Sequence, residues 1–176
     1  MVRSIESVAV IGAGTMGAGI AAASAAAGCR VLILDMNADT VESALQQVAA
    51  EDRHLVRTGL VDADLDAVSS YDWVCEAIVE DLSVKRDLFT RLENIRKDGS
   101  VISSNTSGIP LRQISEDMPT RFRSDVAITH FFNPVKVMRL FELVPGEETD
   151  QEVISAFAEF GSSRLGKGVV HAKDTV

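Results

Sequence analysis

Cysteine, aromatic residues and positive charge are all scarce in this chain of 176 residues. Its only two cysteines, Cys29 and Cys75, each lie in an apolar segment. They give neither a disulfide framework nor a zinc-ligand pattern, so both read as small buried hydrophobes and the reducing cytoplasm as the simplest compartment. Lys and Arg total 17 against 26 Asp and Glu, a formal net charge of −9. That balance excludes a general nucleic-acid or anionic-membrane binder, which needs a basic face. No apolar stretch reaches the roughly 20 residues of a membrane span; the Ala-rich run at 18–27 is broken by Gly and Ser. The N-terminus lacks the basic-then-apolar layout and cleavage site of a signal peptide, its apolar run leading straight into glycines.

What is present is a hydrophobic content of 46%, in a length that suits one domain burying about 70% of its unfolded surface. Apolar β-branched runs alternate with helical patterns. Strands are expected at Ser7–Ile11, 30–34, 72–78, 101–103, Val126–Phe131, 140–144 and Gly168–His171, and helices at 16–27, 39–57, 83–95 and 151–164, with a helical turn near 111–116. This alternation predicts an α/β, Rossmann-type doubly wound and mostly parallel sheet with helices on both faces. Additional C-terminal strands, at least one of them antiparallel, are expected to extend it.

Gly12-Ala13-Gly14-Thr15-Met16-Gly17 fits G-x-G-x-x-G, a weak pattern alone but a specific one between a strand and a helix. Gly12 permits the tight turn, Gly14 lets backbone approach a pyrophosphate, and Gly17 lets the helix pack closely on the strand. The helix N-terminus then faces the phosphates. Asp35 ends the second strand, 18 residues beyond Gly17. There a carboxylate can accept from both adenosine-ribose hydroxyls and would repel a 2′-phosphate, favouring NAD over NADP. A Gly-rich turn followed by an ordinary capping Asp is the less specific reading of the same residues.

A second group of residues lies near the ends of later strands, where open α/β sheets place their ligands. Ser104-Asn105-Thr106-Ser107 follows one strand, His130-Phe131-Phe132-Asn133-Pro134 ends the next, and Glu142 sits inside an apolar run. A carboxylate there is costly unless paired. Residues 130 and 142 are equidistant from 136, so an antiparallel pairing would set His130 opposite Glu142. A carboxylate on one imidazole nitrogen leaves the other free to take a proton, as alcohol oxidation by NAD requires. Structural alternatives stand beside these. Ser107 could cap the helix begun near Pro110, His130 and Glu142 could be a satisfied core pair, and Asn133 before Pro134 is ordinary turn chemistry. His54 and His171 read as surface residues.

Four ordered motifs together resemble the L-3-hydroxyacyl-CoA dehydrogenases: Val10-Ile11-Gly12-Ala13-Gly14-Thr15-Met16-Gly17-Ala18-Gly19-Ile20-Ala21, Glu76-Ala77-Ile78-Val79-Glu80 with Lys85, Ser104-Asn105-Thr106-Ser107, and His130-Phe131-Phe132-Asn133-Pro134-Val135 with Met138 and Glu142. Gly166-Lys167-Gly168-Val169-Val170 and Lys173-Asp174-Thr175 further resemble the large bacterial members of fatty-acid β-oxidation. The resemblance implies that His130 is the general base held by Glu142, that Ser107 hydrogen-bonds the substrate hydroxyl, and that Asn133 positions substrate and nicotinamide. Asp35 would bind the adenosine ribose, with Ala77, Glu80 and Lys85 along the cofactor. Thr15, Met16, Ile78 and Asn105 would complete the cofactor-binding set. The implied reaction is reversible oxidation of an L-3-hydroxyacyl-CoA to the 3-ketoacyl-CoA, with NAD as cofactor and no metal.

Two departures qualify the resemblance. The stretch between Asp35 and Asp72 is short for the family. It holds Asp39, Glu42, Glu51, Asp52, Asp62, Asp64 and Asp66 against Arg53 and Arg57, a poor surface for CoA phosphates. Relatives acting on L-gulonate or L-carnitine share the nucleotide domain and need no CoA site, so a free small hydroxy compound is the alternative substrate. A non-catalytic NAD-binding module is a further alternative. In the family an α-helical C-terminal domain follows, closing the cleft and often supplying a dimer interface, and residues 1–176 contain none of it. The chain therefore resembles the cofactor half, whose partners would be that helical domain, in the same enzyme or a separate subunit, and an acyl-CoA substrate. A homodimer is compatible with this, and neither nucleic acid nor membrane is expected.

Overall fold

β1 (Ser7–Ile11) is buried at every position, as befits a strand covered on both faces. It runs through Gly12 into α1 (Thr15–Ala26), and β2 (Arg30–Asp35) returns beside it in parallel. α2 (Ala38–Gln47) starts on Asn37, whose side-chain oxygen accepts from the N–H groups of Asp39 and Thr40, satisfying two of the helix's free donors. A 3-10 turn at Ala50–Leu55 leads to β3 (Val56–Leu60); α3 (Val61–Asp64) and a second 3-10 turn at Leu65–Ser70 then lead to β4 (Trp73–Glu76). α4 (Leu82–Ile95), capped by Asp81, precedes β5 (Val101–Ser104). α5 (Leu111–Ile114) and α6 (Thr120–Asp125) lead to β6 (Val126–Phe131), which turns through residues 132–139 into β7 (Leu140–Pro145). α7 (Gln151–Glu159), a π-type turn at Phe160–Arg164 and β8 (Gly168–His171) follow. This computed structural model describes residues 3–175. Met1 and Val2, at the start of the N-terminal segment read above, and Val176, at its domain limit, lie outside the described residues.

The eight strands form one sheet in the order β3-β2-β1-β4-β5-β6-β7-β8. β1 to β6 run parallel, β7 pairs antiparallel with β6, and β8 runs parallel to β7. The expected fold class is therefore observed, antiparallel extension included. Side chains alternate across the sheet with period two. Val8, Val10, Val31 and Ile33 enter a core beneath α1 and α7, whereas Ala9, Ile11, Leu32 and Leu34 enter a second core with Phe89, Leu92 and Phe122. Strand order reverses between β1 and β4, opening a crevice at their C-terminal ends, the place where doubly wound sheets bind ligands.

Several local expectations change. The helix expected over 39–57 ends at Gln47, and its last residues belong to the 3-10 turn and to β3. β3 pairs only with β2 and is largely exposed, so as an edge strand it needs no apolar face and leaves no hydrophobic alternation in the sequence. α6 also goes unpredicted, burying only Phe122 and Asp125. Cys29 and Cys75 are buried and unpaired, and burial pushes the Cys75 thiol up to about 12. Both are packing residues. His54 and His171 are exposed as expected. Among the described residues, no helix is long and apolar enough to cross a membrane.

Candidate functional site

The glycine loop sits at the crevice, and the three glycines answer three separate steric demands. Gly12 has φ +103°, and a Cβ there would lie 2.4 Å from the Ala77 carbonyl oxygen, so β1 and β4 meet backbone to backbone. At Gly17 a Cβ would fall 1.7 Å from the Gly12 carbonyl oxygen, which forces α1 to lie on the turn without side-chain separation. Around Gly14 a Cβ would meet nothing within 4 Å. The space it faces is open. α1 has no side-chain cap and no acidic residue in its first turn, so its free N–H groups and positive end stay available to an anion.

Two recesses flank the backbone at Ala77 and Ile78, which line both. The outer one, about 460 Å³, holds Gly12, Gly14 and Asp35. Asp35 accepts from the Ala13 N–H at 2.8 Å and the Asn37 N–H at 3.0 Å, fixing its carboxylate to the glycine loop. The inner recess, about 360 Å³, gathers Met16, Glu80, Lys85 and Asn105 from the cofactor-side expectations with Ser107, His130 and Asn133 from the substrate side. Thr15 instead lines a third groove, about 430 Å³, which follows the small-residue face of α1 to Asn133, Pro134 and Lys136. Gly17 lines none of these, because its role is to seat α1 on β1.

Beside the inner recess lies a polar group centred on Glu76, a residue to which the sequence assigns no role. Glu76, at the end of β4, is fully buried and accepts from Lys85 Nζ at 2.6 Å, Ser104 Oγ at 2.5 Å and the Ile78 N–H at 2.7 Å. Lys85 is also buried and lies 3.5 Å from Glu80. Glu80 accepts from the Thr106 hydroxyl, and Thr106 Oγ1 in turn accepts from the Ile109 N–H. Glu76 and Lys85 stand together in one of the family motifs, but nine residues is too wide a spacing for a helix pair, so nothing in the sequence signals that they touch. Asn105 bridges two strand ends, donating its backbone N–H to the Glu76 carbonyl oxygen and accepting from the Phe131 N–H through its side chain.

β6 and β7 pair so that His130 stands directly opposite Glu142, the register expected from their symmetry about residue 136. His130 Nδ1 lies 3.8 Å from Glu142 Oε1, beyond hydrogen-bond length but within ion-pair reach of a protonated ring. Glu142 itself does not line the recess. Ser107 does not cap the nearby helix. α5 begins after Pro110, and the N–H groups of Leu111 and Arg112 are accepted by the Asp174 carboxylate at 2.7 and 2.9 Å. The loop carrying Asn133, which is joined to Pro134 by a cis peptide, is held at two points. Val135 packs against α1 where Gly19 leaves room for it. Lys167 donates to the carbonyls of Val135 and Met138 at 2.7 and 2.6 Å, and loss of solvent holds its pKa below the usual lysine value.

Residues 7–175 match the family model described as 3-hydroxyacyl-CoA dehydrogenase, NAD binding domain. The chain belongs to this family. A probable 3-hydroxyacyl-CoA dehydrogenase of Deinococcus radiodurans is 41% identical over 186 residues, covering 97% of this chain and 54% of that protein. Another from Bacillus subtilis is 35% identical over 205 residues, covering 99% of this chain and 26% of its relative. Among solved structures, 3-hydroxybutyryl-CoA dehydrogenase from Escherichia coli superposes with a TM-score of 0.88 at 32% identity, over 98% of this chain and 39% of that one. The chain thus spans between a quarter and just over half of these relatives. Its cofactor is NAD, and this NAD-binding domain fits it: open space over Gly14 and the uncapped end of α1 suit a pyrophosphate, with Asp35 beside them for a ribose.

Proposed function

We propose that this domain is the cofactor half of an enzyme that reversibly oxidises an L-3-hydroxyacyl-CoA to the 3-ketoacyl-CoA. The carrying observation is the convergence of Ser107, His130 and Asn133 on the recess that also holds Met16, Ala77 and Lys85. A module that only bound a dinucleotide would have no use for a serine, a histidine and an asparagine aimed at one small space. The names of the relatives support the acyl-CoA reading. The two buried, unpaired cysteines suit the cytoplasm as its compartment.

His130 presents Nδ1 toward Glu142, which leaves its second ring nitrogen to take the proton of the substrate hydroxyl. Glu142 favours the imidazolium that results. Ser107 fixes the hydroxyl by hydrogen bonding, and Asn133 orients the reacting carbon. When bound, NAD supplies the hydride acceptor. The groove leaving Asn133 along α1 offers an apolar path for the thioester arm. Of the groove's three cationic residues, Arg164 and Lys167 are engaged with groups of this chain, and Lys136 has no side-chain partner among the described residues. Recognition of the CoA phosphates is therefore assigned to the helical domain that completes the enzyme.

Calorimetry on the chain should show NADH binding that Asp35→Ala weakens. In the enzyme completed by its helical domain, His130→Gln should lower kcat for acetoacetyl-CoA reduction by about 100-fold or more. Retained turnover would remove His130 from the mechanism. Faster turnover of gulonate or carnitine than of acetoacetyl-CoA would move the enzyme to free hydroxy compounds.

A further inference from the structure

The outer recess contains more chemistry than a ribose requires. Three large apolar side chains lining it stand exposed, Met36 at 65%, Val79 at 64% and Val84 at 43%. Single exposed apolar residues are ordinary, but three around one mouth mark a place where an apolar surface docks. α4 turns Val84, Asp87, Leu88 and Arg91 toward this cavity, at the i, i+3, i+4, i+7 spacing of one helix face. Asp87 and Arg91 are four residues apart, where opposite charges ordinarily pair. Neither side chain makes an ion pair or hydrogen bond with the rest of the described chain. The other carboxylate of the recess, Asp35, already accepts from Ala13 and Asn37 and stands at the ribose position. Asp87 is thus an unused acceptor and Arg91 an unused planar cation, both at the rim of an apolar slot.

We propose that Asp87 reads the base of the dinucleotide, accepting a hydrogen bond from the exocyclic amino group of adenine. Met36, Val79 and Val84 cover the ring, and Arg91 lies against its face as a cation on a π-system. The assignment rests on the outer recess being the adenosine end of the NAD site. Adenine carries N–H donors at C6, whereas hypoxanthine carries a carbonyl oxygen there. A carboxylate acceptor rewards the first and repels the second. Arg91, acting through the ring face, favours both bases alike.

The test compares calorimetric Kd values for NADH and for its deamino analogue, in which hypoxanthine replaces adenine. Wild-type protein should bind the analogue roughly tenfold more weakly, the value of one charge-assisted hydrogen bond at a partly solvated site. Asp87→Asn should bring the two dinucleotides within about threefold of each other, because a carboxamide can turn either its oxygen or its N–H₂ toward the ring. Arg91→Leu should weaken both and leave their ratio unchanged. NADH binding with no base preference, or a preference that survives Asp87→Asn, overturns the assignment of Asp87. A folded chain that binds no NADH removes the cofactor reading itself.

Discussion

Replacing Lys85 with methionine keeps the length of the side chain and deletes its ammonium. Lys85 and Glu76 are 1% and 0% exposed and 2.6 Å apart, so the change strands a carboxylate that water does not reach. Two of the carboxylate's donors remain, the Ser104 hydroxyl and the Ile78 N–H. They keep the expected cost near the lower end of the roughly 3–5 kcal/mol that accompanies breaking a buried pair. Against a total stability of about 5–15 kcal/mol, that is a large share. At about 2–4 °C per kcal/mol for a domain of this size, the melting midpoint should fall by roughly 10 °C. Removing both charges, as Glu76→Gln with Lys85→Met, should recover most of the loss, because the neutral amide can accept from the Ile78 N–H through its oxygen and donate its N–H₂ to the Ser104 hydroxyl. Urea unfolding followed by far-UV circular dichroism on wild type, both single variants and the double variant closes the cycle, with an expected coupling of about 2 kcal/mol. Additive singles, or a Lys85→Met protein within about 1 kcal/mol of wild type, would refute the view of Glu76 and Lys85 as one electrostatic unit. The double variant also separates folding from binding: it should fold, yet hold NADH less tightly, since Lys85 lines the inner recess.

Three further outcomes follow from the glycine loop and from the foot of the sheet. Gly17→Ala should cost several kcal/mol, more than the roughly 1–3 typical of an overpacked site, because the new methyl would collide with the Gly12 carbonyl. Gly14→Ala should melt close to wild type but lose NADH affinity, because only the ligand would occupy that space; parallel thermal melts and calorimetry distinguish the two. At the other end of β1, Asp72 accepts from the N–H groups of Glu6 and Ser7 at 2.9 and 3.1 Å and from Lys97 Nζ at 2.5 Å. Burial pushes its carboxyl up, but Lys97 and these N–H groups outweigh burial and hold it below 3.8. A carboxyl depressed by folding stabilises above its unfolded pKa and ceases to do so as pH falls through its folded one. Asp72→Asn should therefore cost about 1 kcal/mol at pH 7, limited by the exposure of Lys97. Urea titrations should show that difference shrinking as pH falls through the depressed carboxyl pKa, and a difference that persisted unchanged in acid would point to hydrogen bonding without charge.

Legibility in the sequence followed the physics of each element. Strands buried on both faces announce themselves as unbroken apolar runs, so β1, β2 and β6 were found within a residue of their bounds. The His130–Glu142 register was legible for a different reason: antiparallel strands joined by one turn pair symmetrically about its centre, and pairing is a matter of counting. β3 was illegible because Val56-Arg57-Thr58-Gly59-Leu60 needs only backbone partners on β2. Glu76 stands in a motif without a task legible from the sequence, because the donors it serves lie at 78, 85 and 104 and converge only when β4, α4 and β5 pack together. Ser107 carried an ambiguity that local sequence could not resolve. The residue that takes the place of a cap on α5 is Asp174, more than 60 positions away.

The shared wall at Ala77 and Ile78, closed over by Gly12, makes this a bivalent receptor. Its two compartments, about 460 and 360 Å³, are each large enough for one mononucleotide, and Gly14 lines the outer one. AMP and nicotinamide mononucleotide would each bind singly and weakly, losing translational freedom twice. Joined through a pyrophosphate, the second half arrives at the effective concentration set by that short tether. Affinity for the whole dinucleotide is then governed as much by the span between compartments as by the contacts inside either. A change that shifts α1 against β4, without touching a lining residue, would loosen the dinucleotide while leaving each half's own affinity intact.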